Sequence, residues 1–290
     1  MKVRILSAIV MAIVGVPVLF FADTIIYPIV AGLLSLCSTW EVLRVLGASK
    51  KYTIAIPSYI VAFCLPLFEY RDYFYSLYSA AIPLPHHLAY IIISLLVLIV
   101  FLFCMIFAAV FTEGEVGAKD IGVVFMAVTY IVSSFTALTL IRYMMYGEIL
   151  FLFVFLCAWV SDASAYFVGT FLGKHKLIPK ISPKKTVEGS VGAVVCTTLA
   201  CIAFGAVVEM LRSDIAANYI VLGVLGACLS VISQIGDLWA SLIKREYGVK
   251  DYSNIIPGHG GVFDRFDSVL AVCTVLLIIC SVLPPFTAAV

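Results

Sequence analysis

Long apolar runs, separated by short polar segments, follow one another along the whole 290-residue chain. Most of them hold the roughly 20 apolar residues that a helix needs to cross the hydrocarbon core of a bilayer. Composition agrees, because 63% of the residues are hydrophobic and only 12% are charged, whereas a soluble globular domain carries about a quarter charged residues. The pattern predicts an all-α, polytopic integral membrane protein and excludes a soluble globular domain.

Nine runs are interpreted as transmembrane helices. The first reaches Phe21 and is taken as a retained span rather than a secretory signal, because no small-x-small cleavage pattern follows it. A run at 53–68 is marginal in length and contains Pro57 and Pro66. Asp162 interrupts one run, and Asp237 ends another. The other runs lie at 24–39, 87–111, 119–140, 148–172, 187–211, 216–240 and 268–285.

Charge distribution predicts the orientation of these spans. With the N-terminus in the cytosol, fifteen of the eighteen Lys and Arg residues fall on the inner side, and the outer side keeps only Arg71, Arg142 and Arg212. The basic segments 173–186 and 241–267 then share the cytosolic face. We therefore expect a multi-pass protein of the inner, cytoplasmic cell membrane with a polar cavity that faces the cytosol.

One polar stretch, residues 241–268, concentrates acids, bases and glycines that so apolar a chain keeps only where water, ions or a charged substrate can reach them. Pro257-Gly-His-Gly-Gly261 cannot be helical, and its glycines let backbone N–H groups approach an anion. Carboxylates suit a hard cation, and Lys and Arg suit phosphate oxygens, so the stretch predicts a metal-bridged polyphosphate site. Helical spacing places an amide, a carboxylate, a hydroxyl and an ammonium on one helix face: Gln234, Asp237, Ser241 and Lys244.

The spacing of these residues also resembles a family signature. The signature is that of the phosphatidate cytidylyltransferase, or CDP-diacylglycerol synthase, family, and the matching run is Ser241-x-x-Lys244-Arg245-(four residues)-Lys250-Asp251-x-Ser253-(three)-Pro257-x-His259-Gly260-Gly261-x-x-Asp264-Arg265-x-Asp267. The likeness extends upstream through Ile235-Gly-Asp-Leu238, Ser182-Pro-Lys-Lys-Thr-Val-Glu-Gly189 and Asp162-x-x-Ala165-Tyr166-x-x-Gly169. It covers roughly residues 158–270. Departures from common family forms, Ala163-Ser164 and Tyr252, fall where no chemistry is assigned.

The resemblance implies transfer of CMP from CTP to phosphatidate, giving CDP-diacylglycerol and pyrophosphate for phospholipid biosynthesis. Mg²⁺, with room for a second cation, would offset the repulsion between the two anionic substrates. The expected metal ligands are Asp237 and Asp264, followed by Asp267, Asp251 and Asp162. The expected catalytic groups are Lys244, Arg245, Lys250, Asp251, His259 and Arg265. The expected substrate- and cofactor-binding residues are Ser182, Lys184, Lys185, Thr186, Glu188, Ser241, Gly260 and Gly261.

Several of these residues also have a purely structural interpretation. Asp162 could lie hydrated at the interface, and Asp264 or Asp267 could cap the last helix. His259 could close its loop with a hydrogen bond as readily as take part in catalysis. The Gly169-x-x-x-Gly173 pair is interpreted as close helix packing. No strong general base is expected, because a phosphate monoester with a second pKa near ~6 is already ionised at neutral pH.

The sequence leaves two alternative functions open. One is a CTP-dependent polyprenol or phytol kinase, and the other is an ion or solute transporter with buried acids on its path. By motif position, residues 1–150 form a group of N-terminal transmembrane helices, and residues 151–290 form the C-terminal helices that carry the catalytic motifs. The expected partners are CTP, phosphatidate and the bilayer, with no nucleic acid, and a homodimer stays open. The nine cysteines contain no Cys-x-x-Cys pair, so no zinc site is expected.

Overall fold

The computed structural model describes residues 24–68, 86–112 and 116–289. Within these residues the chain forms eight helices and four short strands, and seven of the helices are long and apolar enough to cross a membrane. The helices are α1 (Ile26–Val45), α2 (Tyr52–Phe68), α3 (His86–Phe111), α4 (Ala118–Arg142), α5 (Gly147–Phe171), α6 (Val187–Leu211), α7 (Tyr219–Glu246) and α8 (Phe263–Val282). The strands are β1 (Lys176–Ile178), β2 (Ser182–Thr186), β3 (Ile215–Ala217) and β4 (Phe286–Ala288).

The prediction of a mainly helical, polytopic membrane protein is confirmed. Eight of the nine predicted runs coincide with helices, and the first run, up to Phe21, lies outside the described residues. Of the eight helices in the described ranges, only α2, with 17 residues and two internal prolines, is shorter than a usual span. Neither acid breaks its helix, because α5 continues through Asp162 and α7 continues nine residues beyond Asp237 to Glu246.

Contacts divide the chain into two compact units. The first contains the described residues up to Tyr143 together with Val249–Arg265, and the second contains Met144–Gly248 and the residues from Phe266 onward. The first unit therefore combines α1–α4 with a loop that follows α7 in sequence. The division into helices of residues 1–150 and catalytic helices of residues 151–290, which was made from motif positions, stays a prediction.

The first unit has an apolar core shared by its four helices. Leu43 of α1, Ile54 and Leu65 of α2, Phe101 of α3 and Val128 of α4 are all almost completely buried in it. The Tyr27 hydroxyl of α1 donates a hydrogen bond of 3.0 Å to the carbonyl oxygen of Leu138 in α4. In contrast, α3 leaves large apolar side chains uncovered at Leu95, Phe103 and Phe107. Such a surface is suited to lipid rather than to water.

Small residues bring α5 and α6 of the second unit close together. A Cβ atom on Gly189 would lie 2.6 Å from the Ala165 carbonyl oxygen, and one on Gly169 would lie 2.8 Å from the Thr186 hydroxyl oxygen. A Cβ on Gly173 would lie 2.7 Å from the Thr186 methyl group. These contacts agree with close helix packing as the role of the Gly169 and Gly173 pair.

Two antiparallel ribbons join the helices of the second unit, and the sequence did not predict them. In one, β1 pairs with β2 with Lys176 opposite Thr186 and Ile178 opposite Ser182. In the other, β3 pairs with β4 with Ala216 opposite Thr287. The first ribbon leads directly into α6, and so it places the predicted phosphate-binding segment at the start of a helix.

Candidate active site

Three carboxylates of the second unit, on three different helices, interact electrostatically with one another. Asp162 lies on α5, Asp237 on α7 and Asp267 on α8, and each is close enough to the other two to repel them electrostatically. Asp267 is almost fully buried, Asp237 is half-buried and Asp162 is exposed. Unscreened like charges this close are unfavourable in a low-dielectric environment. Cations nearby would relieve this repulsion.

Lys185 provides one such cation. Its Nζ atom lies 2.6 Å from Oδ2 of Asp237, and the two side chains are 19% and 29% exposed. Its position follows from local structure, because β2 ends at Thr186, whose hydroxyl oxygen accepts a 3.1 Å hydrogen bond from the Gly189 N–H and so caps α6. Lys184, its neighbour, is exposed. The two predicted lysines thus differ, and Lys185 is the one brought to the acids.

The helix face predicted from spacing exists on α7. The Ser241 hydroxyl donates at 3.5 Å to Oδ1 of Asp237, and the Gln234 amide donates at 3.3 Å to the Ser230 carbonyl oxygen. Lys244 is 8% exposed and attracts Asp267 electrostatically. Arg245 donates from Nε to the Ile181 carbonyl oxygen at 3.4 Å, in the turn that joins β1 to β2. This face therefore adds a second cation, the buried Lys244, to the acidic cluster.

Glu188, at the start of α6, organises the backbone in front of β1. Its carboxylate accepts hydrogen bonds from the backbone N–H groups of Lys174 at 3.1 Å and His175 at 3.2 Å. The His175 ring atom Nδ1 lies 2.6 Å from Oε1 of the same carboxylate. The contacts described for Glu188 are therefore with the protein backbone and His175, while its role as a substrate contact stays a prediction.

The glycine-rich loop of the first unit is folded by hydrogen bonds to Asp264. Oδ2 of Asp264 accepts from the N–H groups of Tyr252 at 2.9 Å and Gly261 at 3.0 Å. Reaching back three residues to an N–H at the helix start is what the acidic residue of a capping box does. Gly258 and Gly260 have φ angles of 77° and 87°, which non-glycine residues rarely adopt. The loop conformation thus requires both glycines and the carboxylate.

The remaining predicted residues of this loop are accessible or partly so. Lys250, Asp251 and Arg265 are exposed, and His259 is half-buried. The ring atom Nδ1 of His259 is itself buried, and it has no hydrogen-bond partner among the described residues. Within the described part of the chain, Nδ1 of His259 therefore does not make the loop-closing hydrogen bond that was the structural alternative for this residue.

Glu41 on α1 is a residue of this loop's environment that the sequence analysis missed. It is completely buried, and its carboxylate accepts hydrogen bonds from Ser253, Val262 and Phe263. The apolar run assigned to this region ended at Thr39, two residues before Glu41, whereas α1 continues to Val45. The sequence signal that could have identified Glu41 is its place as an acid only two residues after an apolar run.

A polar cavity of about 460 Å³ borders the same loop. It lies between the end of α1 and the first residues of the loop, and the exposed Arg44 guanidinium is its cationic group. The lining residues are Arg44, Val45, Val249, Asp251, Tyr252, Ser253, Asn254 and Ile255. A cavity with one cation and several hydrogen-bonding groups is suited to the polar part of a substrate.

The residues can be tested for their fit to a divalent metal. Among the described residues, no three His, Cys, Asp or Glu side chains form a group that could hold a metal ion as they stand. The chemistry of Asp162, Asp237 and Asp267 nevertheless fits Mg²⁺, which prefers oxygen ligands and binds through one or two carboxylates with substrate phosphates. Their mutual repulsion is also what a divalent cation would relieve.

Comparisons with known proteins agree with the residue pattern. Residues 2–283 match the cytidylyltransferase family. The chain is similar to the phosphatidate cytidylyltransferase of Staphylococcus haemolyticus strain JCSC1435, with 32% identity over 281 residues that cover 96% of this chain and 98% of the relative. The enzyme of the same name from Staphylococcus aureus strain COL is 34% identical over 281 residues, with the same coverage of 96% and 98%. Because both the family match and these relatives extend over almost the whole sequence, the chain belongs to the cytidylyltransferase family.

Proposed function

We propose that this protein is a phosphatidate cytidylyltransferase, which makes CDP-diacylglycerol and pyrophosphate from CTP and phosphatidate. A phosphate oxygen of phosphatidate attacks the α-phosphorus of CTP, and the bond from that phosphorus to the oxygen bridging to the β-phosphorus breaks. The main obstacle is repulsion between two anions. The observation that carries the proposal, beside family membership, is the Lys185–Asp237 pair in a cluster of three carboxylates.

The acidic cluster is the proposed metal site. Asp237, Asp267 and Asp162 would hold Mg²⁺, which neutralises phosphate charge and orients the attacking and leaving oxygens when it is bound. Asp264 and Asp251, in the first unit, remain candidate metal ligands. For Asp264 that role is in addition to the two backbone hydrogen bonds that its Oδ2 accepts.

Two sets of cations would bind the substrate phosphates. In the second unit Lys185 and Lys244 lie at the acids, and Lys184 and Arg245 are exposed beside them in sequence. The hydroxyls of Ser182 and Ser241 are additional donors, whereas the contacts of Thr186 and Glu188 support their helix and loop. In the first unit the donors are Lys250, His259 and Arg265. The N–H groups of Gly260 and Gly261 donate to the Ile256 carbonyl oxygen and to Asp264, so these two glycines would contribute to substrate binding by shaping the loop. None of these groups needs to be a strong base, since the attacking phosphate is already ionised.

The polar groups are proposed to face the cytosol from a multi-pass protein of the cell membrane, with nine spans when the segment before residue 24 is included. This orientation is supported by the fifteen-to-three distribution of Lys and Arg. The second-unit cluster would then line a cavity open to the inner leaflet. Phosphatidate could present its phosphate there while its acyl chains stay in lipid, where their transfer to water would be unfavourable.

The experiment uses purified protein with phosphatidate, Mg²⁺ and CTP labelled either in the cytosine ring or in the γ-phosphate. The proposed reaction places the cytosine label in lipid and releases the γ-label as pyrophosphate. A lipid kinase would instead transfer the γ-label to lipid, and a transporter would move solute without forming either product. Replacing Asp237 and Asp264 together by Asn should abolish the transfer, and an unchanged turnover would refute the roles given to them. Light scattering of the same detergent-solubilised sample distinguishes a monomer from a homodimer.

A further inference from the structure

Glu41 is an acid buried without any exposed surface in an apolar helix. A buried carboxylate is strongly unfavourable unless hydrogen-bond donors compensate it. It also lies far in sequence from the 158–270 region that carries the family signature. A residue with this cost and this position requires an explanation in terms of its partners.

The partners of Glu41 are both ends of the glycine-rich loop. Oε1 accepts from the Ser253 hydroxyl at 2.5 Å and from the Val262 N–H at 2.8 Å, and Oε2 accepts from the Phe263 N–H at 2.8 Å. The last two N–H groups stand at the start of α8, where backbone donors have no partner within the helix. One side chain on α1 therefore fixes the beginning and the end of a loop of about ten residues.

We propose that Glu41 is a positioning residue for this loop, acting through the loop rather than on the substrate. By holding Ser253 and the residues at 262–263, it sets the position of His259 and Asp264 and of the loop that Gly260 and Gly261 shape between them. This inference rests on the roles proposed above for the loop. Displacing reacting groups by about 1 Å can cost roughly 100-fold in rate, so a residue that only supports the loop can still have a large effect.

Gly261 provides a second observation of the same arrangement. A Cβ atom at Gly261 would lie 2.6 Å from both carboxylate oxygens of Glu41. That distance is far below van der Waals contact, and the carboxylate cannot move without leaving its hydrogen-bond donors. Gly261→Ala should therefore displace Glu41, and it should do so only while Glu41 carries its carboxylate.

The first experiment compares Glu41→Gln and Glu41→Ala with Ser38→Ala as a matched control. Ser38 is equally buried on α1, one turn away, and its hydroxyl has no hydrogen-bond partner among the described residues. Glutamine keeps the size of the side chain, but its NH₂ group replaces one of the two oxygens that accept hydrogen bonds from the loop. We expect kcat for CMP transfer to fall about 100-fold in both Glu41 variants, well below their unfolding temperatures, and to stay within twofold in Ser38→Ala.

Hydrogen exchange separates positioning from general stabilisation and does not depend on activity. In both Glu41 variants, amides of the 253–265 peptide should exchange at least tenfold faster, while amides of α6 exchange at the wild-type rate. Unchanged exchange in the 253–265 peptide would overturn the inference even if activity fell. Equal acceleration in α6 would overturn it too, because the role would then be one of general stability. If the wild type failed to transfer CMP but the exchange result held, the proposed reaction would be refuted, whereas the positioning role of Glu41 would stand.

A double-mutant cycle completes the test. Gly261→Ala should lower kcat at least tenfold in the wild type but by less than twofold in the Glu41→Ala background, because the clash is then absent. Reductions that multiply in the double variant would mean that Gly261 acts independently of Glu41, and they would overturn the inference. If Glu41→Ala does not yield folded protein, two single variants, Glu41→Gln and Gly261→Ala, still test the positioning role. Hydrogen exchange and kcat are then measured for each of them.

Discussion

Replacing Lys185 by Ala tests the charge balance of the acidic cluster most directly. With Nζ and Oδ2 2.6 Å apart and an effective dielectric constant of about 20, the attraction to Asp237 is about 6 kcal/mol before dehydration of the two groups is subtracted. Exposed pairs stabilise by about 0–1 kcal/mol net, and losing one partner of a buried pair costs about 3–5 kcal/mol. Because these side chains are 19% and 29% exposed, we expect an intermediate loss of about 2 kcal/mol.

The loss can be measured by thermal unfolding in detergent with EDTA. Unfolding is monitored by maleimide labelling of the nine cysteines, all of which are free. A loss of about 2 kcal/mol corresponds to a fall in Tm of about 3 °C for a chain of 290 residues. Lys184→Ala, which changes the exposed neighbouring lysine, should move Tm by less than about 1 °C. Adding Asp237→Ala to Lys185→Ala should restore at least half of the loss, because the carboxylate that lost its lysine is then absent. Equal shifts for both lysines, or additive losses in the double variant, would refute the argument.

Three further predictions concern the helix cap, the loop and the cavity. Thr186→Val should lower stability by about 1 kcal/mol through loss of the α6 cap, whereas Thr186→Ser should not, and their Tm values check this. Asp264→Asn should reduce CMP transfer about 100-fold and His259→Ala only about tenfold, since the carboxylate folds the loop and no general base is needed; the reverse order in a CTP-dependent assay would contradict the assigned roles. Arg44→Ala should raise the KM for CTP or for phosphatidate about tenfold through loss of a charge-assisted contact, while Lys50→Ala, at an exposed lysine outside the cavity lining, should leave both KM values within twofold.

The helices could be predicted from sequence because lipid imposes length and apolarity on each span separately. The polar face of α7 was likewise found from spacing alone, since helical geometry fixes which side chains share a face. The error concerned its end. The apolar run was assigned to residues 216–240, but the helix continues to Glu246, and the ion pair with Lys185 compensates the charge of Asp237 within it.

The features that the sequence did not reveal depend on contacts between distant residues. The pairing of Lys185 with Asp237 joins positions 52 apart, and the hydrogen bond from Ser253 to Glu41 joins positions 212 apart. Local spacing carries no information at such separations. The four strands are only three to five residues long, which is too short for alternation of polar and apolar residues to be recognised.

The buried carboxylate on α1 has a consequence for how the protein is made. During translation α1 leaves the ribosome some 210 residues before the segment that supplies its three hydrogen-bond donors. Throughout that interval the nascent chain contains an acid without those partners, and a membrane interior disfavours it there by about 3 kcal/mol on insertion scales. The end of α1 should therefore stay near the aqueous interface, or against the insertion machinery, until α7 has been inserted and the following loop can dock.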